Sequence, residues 1–329
     1  MATMNDVARR AGVSLATVSA VLNQSSYVSP ELTARVNQAA KLLDYRINAL
    51  ARSLKQGWTQ TVGMLIPTFG APDPFFGEVV QGVETTLRLR DYSLLLGQTH
   101  NQVAEQSRHI AAFRARLIDG LFLFQTPGDD PELTKFLADR KPVVFVGRVP
   151  SEIQADVVAT DIEAGTYMGV RHLLEKGHRR VGLVTQRDSL SVREFRLKGW
   201  HAAYADMGVS PAAGLHAEGE LTVEGGYAAT MDLLHGPEQV QAIFADDLIL
   251  TIGMVRALQE RGLTGKVEVL SSDDAEWLDV FHIPISTIVQ PGYEVGVRAA
   301  GLLLERLRDP SRKYETILLR PHLKIREGN

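Results

Sequence analysis

The stretch VARRAGVSLATVSAVLN, residues 7–23, holds two short apolar-faced segments separated by a glycine. Val7, Ala8 and Ala11 stand three and four residues apart, the spacing of one helix face. Just upstream, Thr3-Met4-Asn5-Asp6 fits a capping box, with Thr3 at the N-cap and an acid three residues on. Gly12 ends that helix. Ser14 is placed to cap a second one, from about Leu15 to Leu22, whose inner face is Val18, Val21 and Leu22. Ser29-Pro30 opens a third, because proline at the first helical position gives up no hydrogen bond. Its stripe is Leu32, Val36, Ala39, Ala40 and Leu43. Two short helices joined by a glycine-containing turn make a helix-turn-helix. The second is too short to persist alone, so the first and third must hold it. Its outward face carries Leu15, Ala16, Thr17, Ser19, Ala20 and Asn23, small or polar side chains of the kind that enter a major groove. A helical bundle without a partner would show the same apolar spacing.

The chain has 329 residues, enough for two or three compact units. Charge is shared unevenly along it. Residues 1–58 hold seven basic and three acidic side chains, net +4, which leaves 28 basic and 36 acidic in the rest, net −8. DNA attracts such a head and repels such a body. The absence of cysteine excludes disulfides, thiolate metal sites and a cysteine nucleophile. The start, MATMNDVARRAG, lacks the apolar segment of roughly 7–15 residues that a secretory signal needs. No run approaches the roughly 20 apolar residues of a membrane span. A cytoplasmic protein without membrane contact is therefore expected.

Residues 7–23, with YVSPELTARV and LDYRINALARSLKQG after them, closely resemble the lactose-repressor/galactose-repressor family of bacterial transcription regulators. The resemblance covers the headpiece almost residue for residue. It implies a double-stranded DNA operator as partner and a homodimer that binds it. It also implies a DNA-contacting set of Thr3, Met4, Leu15, Ala16, Thr17, Ser19, Ala20, Asn23, Tyr45, Asn48, Ala51, Leu54 and Lys55. Leu15 and Ala16 occupy the positions that select the operator in the family, and both are apolar, which favours thymine methyl groups. One departure stands out. The family usually has arginine directly after the TVS triplet, where it reads guanine, and this chain has Ala20. Residues 48–55 resemble the family's hinge helix, too short to form alone. By resemblance it forms when two copies meet on DNA and wedge Leu54 into the minor groove, with Asn48 and Lys55 on the groove or its phosphates.

From residue 61 the pattern changes to apolar runs alternating with amphipathic segments. Val62–Ile66, Leu94–Leu96, Leu121–Phe124 and Val143–Val146 read as buried parallel strands, with helices near 76–90, 102–116 and 131–139. The pattern restarts with Arg180–Thr185, Gly214–Ala217, Ala242–Phe244 and Val267–Leu270, with helices near 193–207, 223–235 and 248–261. Two such arrays imply two parallel-sheet subdomains with helices on both faces. The resemblance extends here to a periplasmic-binding-protein-like α/β core, whose chain crosses between subdomains near Asp161, Gln290 and Pro321. The expected division is a helix-turn-helix domain at 1–46, a hinge and linker at 47–60, and an effector-binding and dimerisation core at 61–329. Within the core, one subdomain takes about 61–160 and 291–320, the other about 161–290 and 321–329.

Open α/β sheets bind ligands at the carboxyl ends of their strands. Those ends carry Phe75 and Phe76, Gln125, Arg148, Asp161, Arg196, Asp246-Asp247 and Asp273-Asp274. The resemblance assigns Arg196 and Asp273 to the family's effector pocket, and Asp246 stands where the family usually has asparagine. An ionised aspartate only accepts, so a ligand hydroxyl or amine is expected opposite Asp246. Phe75 and Phe76 suit either a sugar face or the core, and each charged residue suits either the pocket or a surface ion pair. Carboxylates beside arginine suit a sugar or polyol, while a nucleobase, a sugar acid and a protein partner stay open. His172 and His178 are six apart, too far for a metal pair on one helix face. There is no P-loop, no dinucleotide fingerprint and no nucleophile elbow, so no cofactor and no enzyme is expected. No heptad segment follows residue 324, which points to a dimer. The expected function is a ligand-responsive, sequence-specific regulator, most simply a repressor. The alternative is a cytoplasmic solute-binding protein with no DNA role.

Overall fold

The computed structural model describes residues 2–23, 26–45, 58–67, 74–147, 153–187, 190–237 and 239–327. It divides into two compact units, Met1–Thr59 and Gln60–Asn329.

The first unit is built from α1 (Met4–Ala11), α2 (Leu15–Asn23) and α3 (Pro30–Leu42). Thr3 and Asp6 form the reciprocal capping box, with Asp6 N donating to Thr3 Oγ1 and Thr3 N donating to Asp6 Oδ2 at 2.9 Å. Gly12 takes the left-handed conformation, φ 63°, that turns the chain out of α1. Ser14 Oγ accepts from Thr17 N at 3.1 Å and starts α2. Val7, Val18 and Val36, one from each helix, are fully buried together. Arg35 on α3 reaches across to the α1–α2 turn and donates to the carbonyls of Ala11 and Gly12. The expected hinge positions Asn48, Ala51, Leu54 and Lys55 lie outside the described residues.

The second unit contains two six-stranded sheets. The first has the order β11-β5-β4-β3-β1-β2 and is parallel throughout. Its strands are β1 (Thr61–Ile66), β2 (Ser93–Gln98), β3 (Gly120–Leu123), β4 (Val143–Val146), β5 (Asp156–Thr160) and β11 (Thr316–Leu319). Helices α4 (Phe75–Arg88) and α11 (Gly292–Arg308) cover one face, and α5 (Val103–Ala115) and α6 (Pro131–Ala138) the other. Strand alternation sorts the side chains. Met64, Phe122 and Val144 pack on the α4/α11 side, while Leu65, Leu121 and Phe145 pack on the α5/α6 side. Both faces are thus apolar, as a parallel sheet requires. Where α4 and α11 touch, a methyl group at Gly82 would lie 2.2 Å from the Tyr293 carbonyl oxygen, so only glycine allows that approach.

The second sheet has the order β12-β10-β9-β8-β6-β7, with only β12 antiparallel. Its strands are β6 (Val181–Gln186), β7 (His216–Gly219), β8 (Ala242–Ala245), β9 (Glu268–Ser272), β10 (Ser286–Val289) and β12 (His322–Lys324). Its helices are α7 (Ile162–Glu175), α8 (Leu190–Asp206), α9 (Val223–His235) and α10 (Leu248–Glu260). The chain passes from one sheet to the other after β5, between β10 and α11, and between β11 and β12. Sequence periodicity does not single out β5, β10, β11, β12, α7 or α11. It also makes β2 a buried strand, whereas β2 is an edge strand with Leu96 exposed. The strand expected at 214–217 runs from His216 to Gly219.

A buried ion pair ties the first sheet to its late-arriving pieces. Arg306 on α11 makes two bonds of 3.0 Å to the carboxylate of Asp156 at the start of β5. The same carboxylate accepts from Glu315 N, just before β11. Both residues are almost wholly buried.

Candidate functional site

In the first unit α2 is held by α1 and α3 through Val18 and leaves Leu15 and Ala16 exposed at its start. Ser19 and Ala20 are half-buried on the same helix, and Asn23 closes it. The Thr17 hydroxyl bonds the Ser14 hydroxyl at 2.9 Å, and the Thr3 hydroxyl is part of the capping box. Met4 and Tyr45 pack against the apolar core of this unit.

In the second unit a cleft of about 600 Å³, open mouth included, lies at the carboxyl ends of both sheets. The first sheet contributes Phe75 and Phe76 from the start of α4 and Phe124 after β3. The three rings meet edge to face, with centroids 5.2–6.3 Å apart. The second sheet contributes Gln186, Arg196, Asp246, Asp247 and Asp273, and Gln290 joins from the passage between sheets.

Arg196 is 3% exposed. Its Nη1 donates to Thr166 Oγ1 at 3.2 Å on α7. Its Nη2 donates to Ser272 Oγ at 2.7 Å and to the backbone carbonyl of Asp246 at 3.2 Å. The guanidinium also lies over the Phe244 ring, 5.7 Å from its centroid. Nε has no hydrogen-bond partner among the described residues. The arginine is thus a brace for its subdomain, and Nε is its one nitrogen without a partner among the described residues.

Asp246 is 2% exposed, and its Oδ2 accepts from Gln186 N at 3.0 Å. Its Oδ1 has no partner among the described residues. Burial pushes this carboxyl up to about 7, with neighbouring Asp247 adding to the rise and Arg196 and the Gln186 amide opposing it. At that value the carboxyl is partly protonated near neutral pH, and a protonated carboxyl donates as well as accepts. Burial raises Asp247 as well, against the pull of the Ile249 amide, whose N–H it caps at 2.6 Å to start α10. Asp273 has a positive φ of 70° and accepts from Gln290 Nε2.

Of the residues the sequence nominated, Phe75, Phe76, Arg196, Asp246 and Asp273 line this cleft. Asp161 accepts from Ala164 N at 2.9 Å as the N-cap of α7, and it lines an adjoining hollow with Thr160 and Leu318. Gln125 is half-buried after β3 and is not among the lining residues. Arg148 lies outside the described residues. Sequence reasoning passed over Phe124 and Gln186, though both stand at strand ends. It also passed over Thr166 and Ser272, whose hydroxyls carry no signal until the fold brings them to Arg196.

Comparison with known proteins agrees with this architecture. A family model described as bacterial regulatory proteins, lacI family, matches residues 3–48, and one described as a periplasmic binding protein-like domain matches residues 170–328. The ribose operon repressor of Escherichia coli (strain K12) is 34% identical over 328 residues, 98% of each chain. The HTH-type transcriptional repressor PurR of Edwardsiella ictaluri (strain 93-146) is 32% identical over 330 residues, 98% of this chain and 95% of that one. The lac repressor dimer bound to operator and the anti-inducer ONPF superposes with a TM-score of 0.85 at 26% identity, covering 99% of this chain and 98% of that one. A complex of the transcriptional regulator CelR with cellobiose superposes with a TM-score of 0.75 at 28% identity, covering all of both chains.

Proposed function

Because this chain belongs to the lacI family of bacterial regulatory proteins, we propose that it is a cytoplasmic repressor that binds a pseudo-palindromic operator as a homodimer and answers to a small sugar or polyol held in the cleft. The observation that carries this reading is α2. It is too short to stand alone, is braced by two other helices, and turns the exposed Leu15 and Ala16 outward from its first turn. Each α2 enters a major groove, and hinge segments at 47–60 of the two copies meet over the minor groove between, with Leu54 as the wedge. Thr3, Met4, Thr17, Ser19, Ala20, Asn23 and Tyr45 border the groove, and Asn48, Ala51 and Lys55 follow in the hinge.

The cleft supports the second half of the reading. An aromatic wall faces a bank of carboxyls with one arginine, and a hydroxylated ring offers an apolar face and many polar edges to such a pair of walls. Coupling requires the ligand to bind two arrangements of the sheets unequally. Homologues named for ribose and a neighbour bound to cellobiose fit a carbohydrate ligand. No described helix is long and apolar enough to cross a membrane.

The test is selection of the full chain on a random duplex pool. A two-fold symmetric motif is expected. Enrichment of a lone half-site overturns the dimer, and enrichment of nothing overturns the repressor.

A further inference from the structure

The carboxyl of Asp246 is in an unusual position for an acid. It is almost wholly buried, and among the described residues its carboxyl receives one hydrogen bond, from Gln186 N to Oδ2. The nearest cation does not pair with it. Arg196 spends Nη1 on Thr166 and Nη2 on Ser272 and on the Asp246 backbone carbonyl. The other charged groups facing this point among the described residues are Asp247, next in the chain, and Asp273, at the end of the adjacent strand β9. Both are carboxyls, and Asp247 is itself buried. An ionised carboxylate with one hydrogen bond, no ion pair and an acidic neighbour is costly to bury. The neutral acid costs less, and its buried O–H calls for an acceptor. Because Oδ2 accepts from an N–H, Oδ1, the oxygen without a partner among the described residues, is the place for a proton.

We propose that Asp246 sits in the cleft as the neutral acid and offers Oδ1–H to the ligand as a hydrogen-bond donor, so that the cleft selects an uncharged, hydroxyl-bearing ligand over an ammonium or an anion. The inference rests on the cleft being the ligand site. Burial pushes the carboxyl up to about 7, which agrees with the geometry. Arg196 Nε–H is a second buried donor without a partner among the described residues. Two such donors call for lone pairs on the ligand. An anion finds little here: Arg196 is the one cation among the described lining residues, and three of its five N–H groups already bond protein acceptors. An ammonium needs the ionised acid.

The test has two arms on the full chain. Carbon-13 NMR of labelled aspartate carboxyls is followed from about pH 5 to about pH 8.5. One resonance is expected to titrate near neutrality and to be missing in Asp246→Asn. If no aspartate titrates above about pH 5, the proposal fails. The second arm measures binding of D-ribose, cellobiose, glucosamine and fructose 1-phosphate. A neutral sugar is expected to bind, about ten-fold more weakly at pH 8 than at pH 6. Asp246→Asn, which keeps a donor, is expected to bind it with no pH dependence. Glucosamine binding that strengthens with pH and vanishes in Asp246→Asn overturns the proposal. So does preference for fructose 1-phosphate, or no neutral sugar binding at either pH. Loss of specific DNA binding would instead refute the repressor and leave the Asp246 titration standing.

Discussion

Arg35 donates from Nη2 to the carbonyl of Ala11 at 2.6 Å, so the third helix of the N-terminal unit holds the turn that launches α2. The carbonyl is one of those a helix C-terminus leaves without an internal partner. Replacing Arg35 with methionine keeps the apolar stem and removes the bonds. The cost is about 1–2 kcal/mol to this unit. Hydrogen exchange on the full chain should show the amides of Val18 and Val36 opening roughly ten-fold faster, with the second unit unchanged. Unaltered protection would mean that the turn holds itself.

Ala20 lies in the middle of α2, half-buried on its own unit. Arginine there would bring a bidentate donor to a base edge, a contact of about 1–3 kcal/mol against the wrong base. Selection with Ala20→Arg should move one position in each half-site to guanine. An unchanged motif would place residue 20 away from the bases.

Arg196 joins α7, β9 and the end of β8 through one guanidinium. Arg196→Ala should therefore do two things at once. It abolishes calorimetric ligand binding, and it lowers the unfolding midpoint through lost bonds to buried groups, by about 2–4 kcal/mol. Operator affinity should stay near the parent value. Intact ligand binding would reduce Arg196 to a purely structural role.

Asp246 links stability to pH. Its ordinary value is 3.8 and its folded value about 7. Below 3.8 the folded and unfolded chains hold the proton alike. Between the two values unfolding releases a proton, so stability falls as pH rises, and the loss is complete above about 7. Asp246→Asn escapes this loss. Its advantage should be absent near pH 3.8, grow through the window and level off above about 7, at on the order of 4 kcal/mol. A difference in midpoint that does not vary with pH would contradict the raised carboxyl.

Asp156 and Arg306 form a buried pair across the first sheet. Asp156→Ala strands the guanidinium, which costs about 3–5 kcal/mol, whereas replacing both with apolar residues of similar volume should cost far less. Urea unfolding of the single and double variants separates the two outcomes. Equal losses in both would show that packing, rather than charge, sets the cost.

The headpiece was legible in the sequence because its signals are local: a capping box, a left-handed glycine and a proline start each act within a few residues. Strands β1, β3 and β4 were legible as runs buried on both faces. β5 was not, because DVVAT is short and has a polar residue at each of its own ends. β11 has half-exposed alternation at a sheet edge, and α11 carries three glycines, Gly292, Gly296 and Gly301, that dilute its stripe. In the cleft, strand-end position found Arg196, Asp246 and Asp273. It could not tell Asp161, spent on capping α7, from a lining residue. Nor could it foresee that Asp246 would have no counter-ion among the described residues, since that depends on where Thr166, Ser272 and a backbone carbonyl draw the arginine.

The three passages of the chain between its sheets set an order of completion during synthesis. Neither sheet is finished by the residues that begin it. The first waits for α11 and β11, residues 292–319, long after its strands β1 to β5 have emerged. Until then the apolar face under α11, with Met64, Phe122 and Val144, lacks half its cover, and Asp156 lacks Arg306. The second sheet waits for β12. A nascent chain stalled at residue 290 would thus hold two unfinished sheets rather than one finished subdomain. It would depend on chaperones or on rapid completion to avoid association through the exposed face.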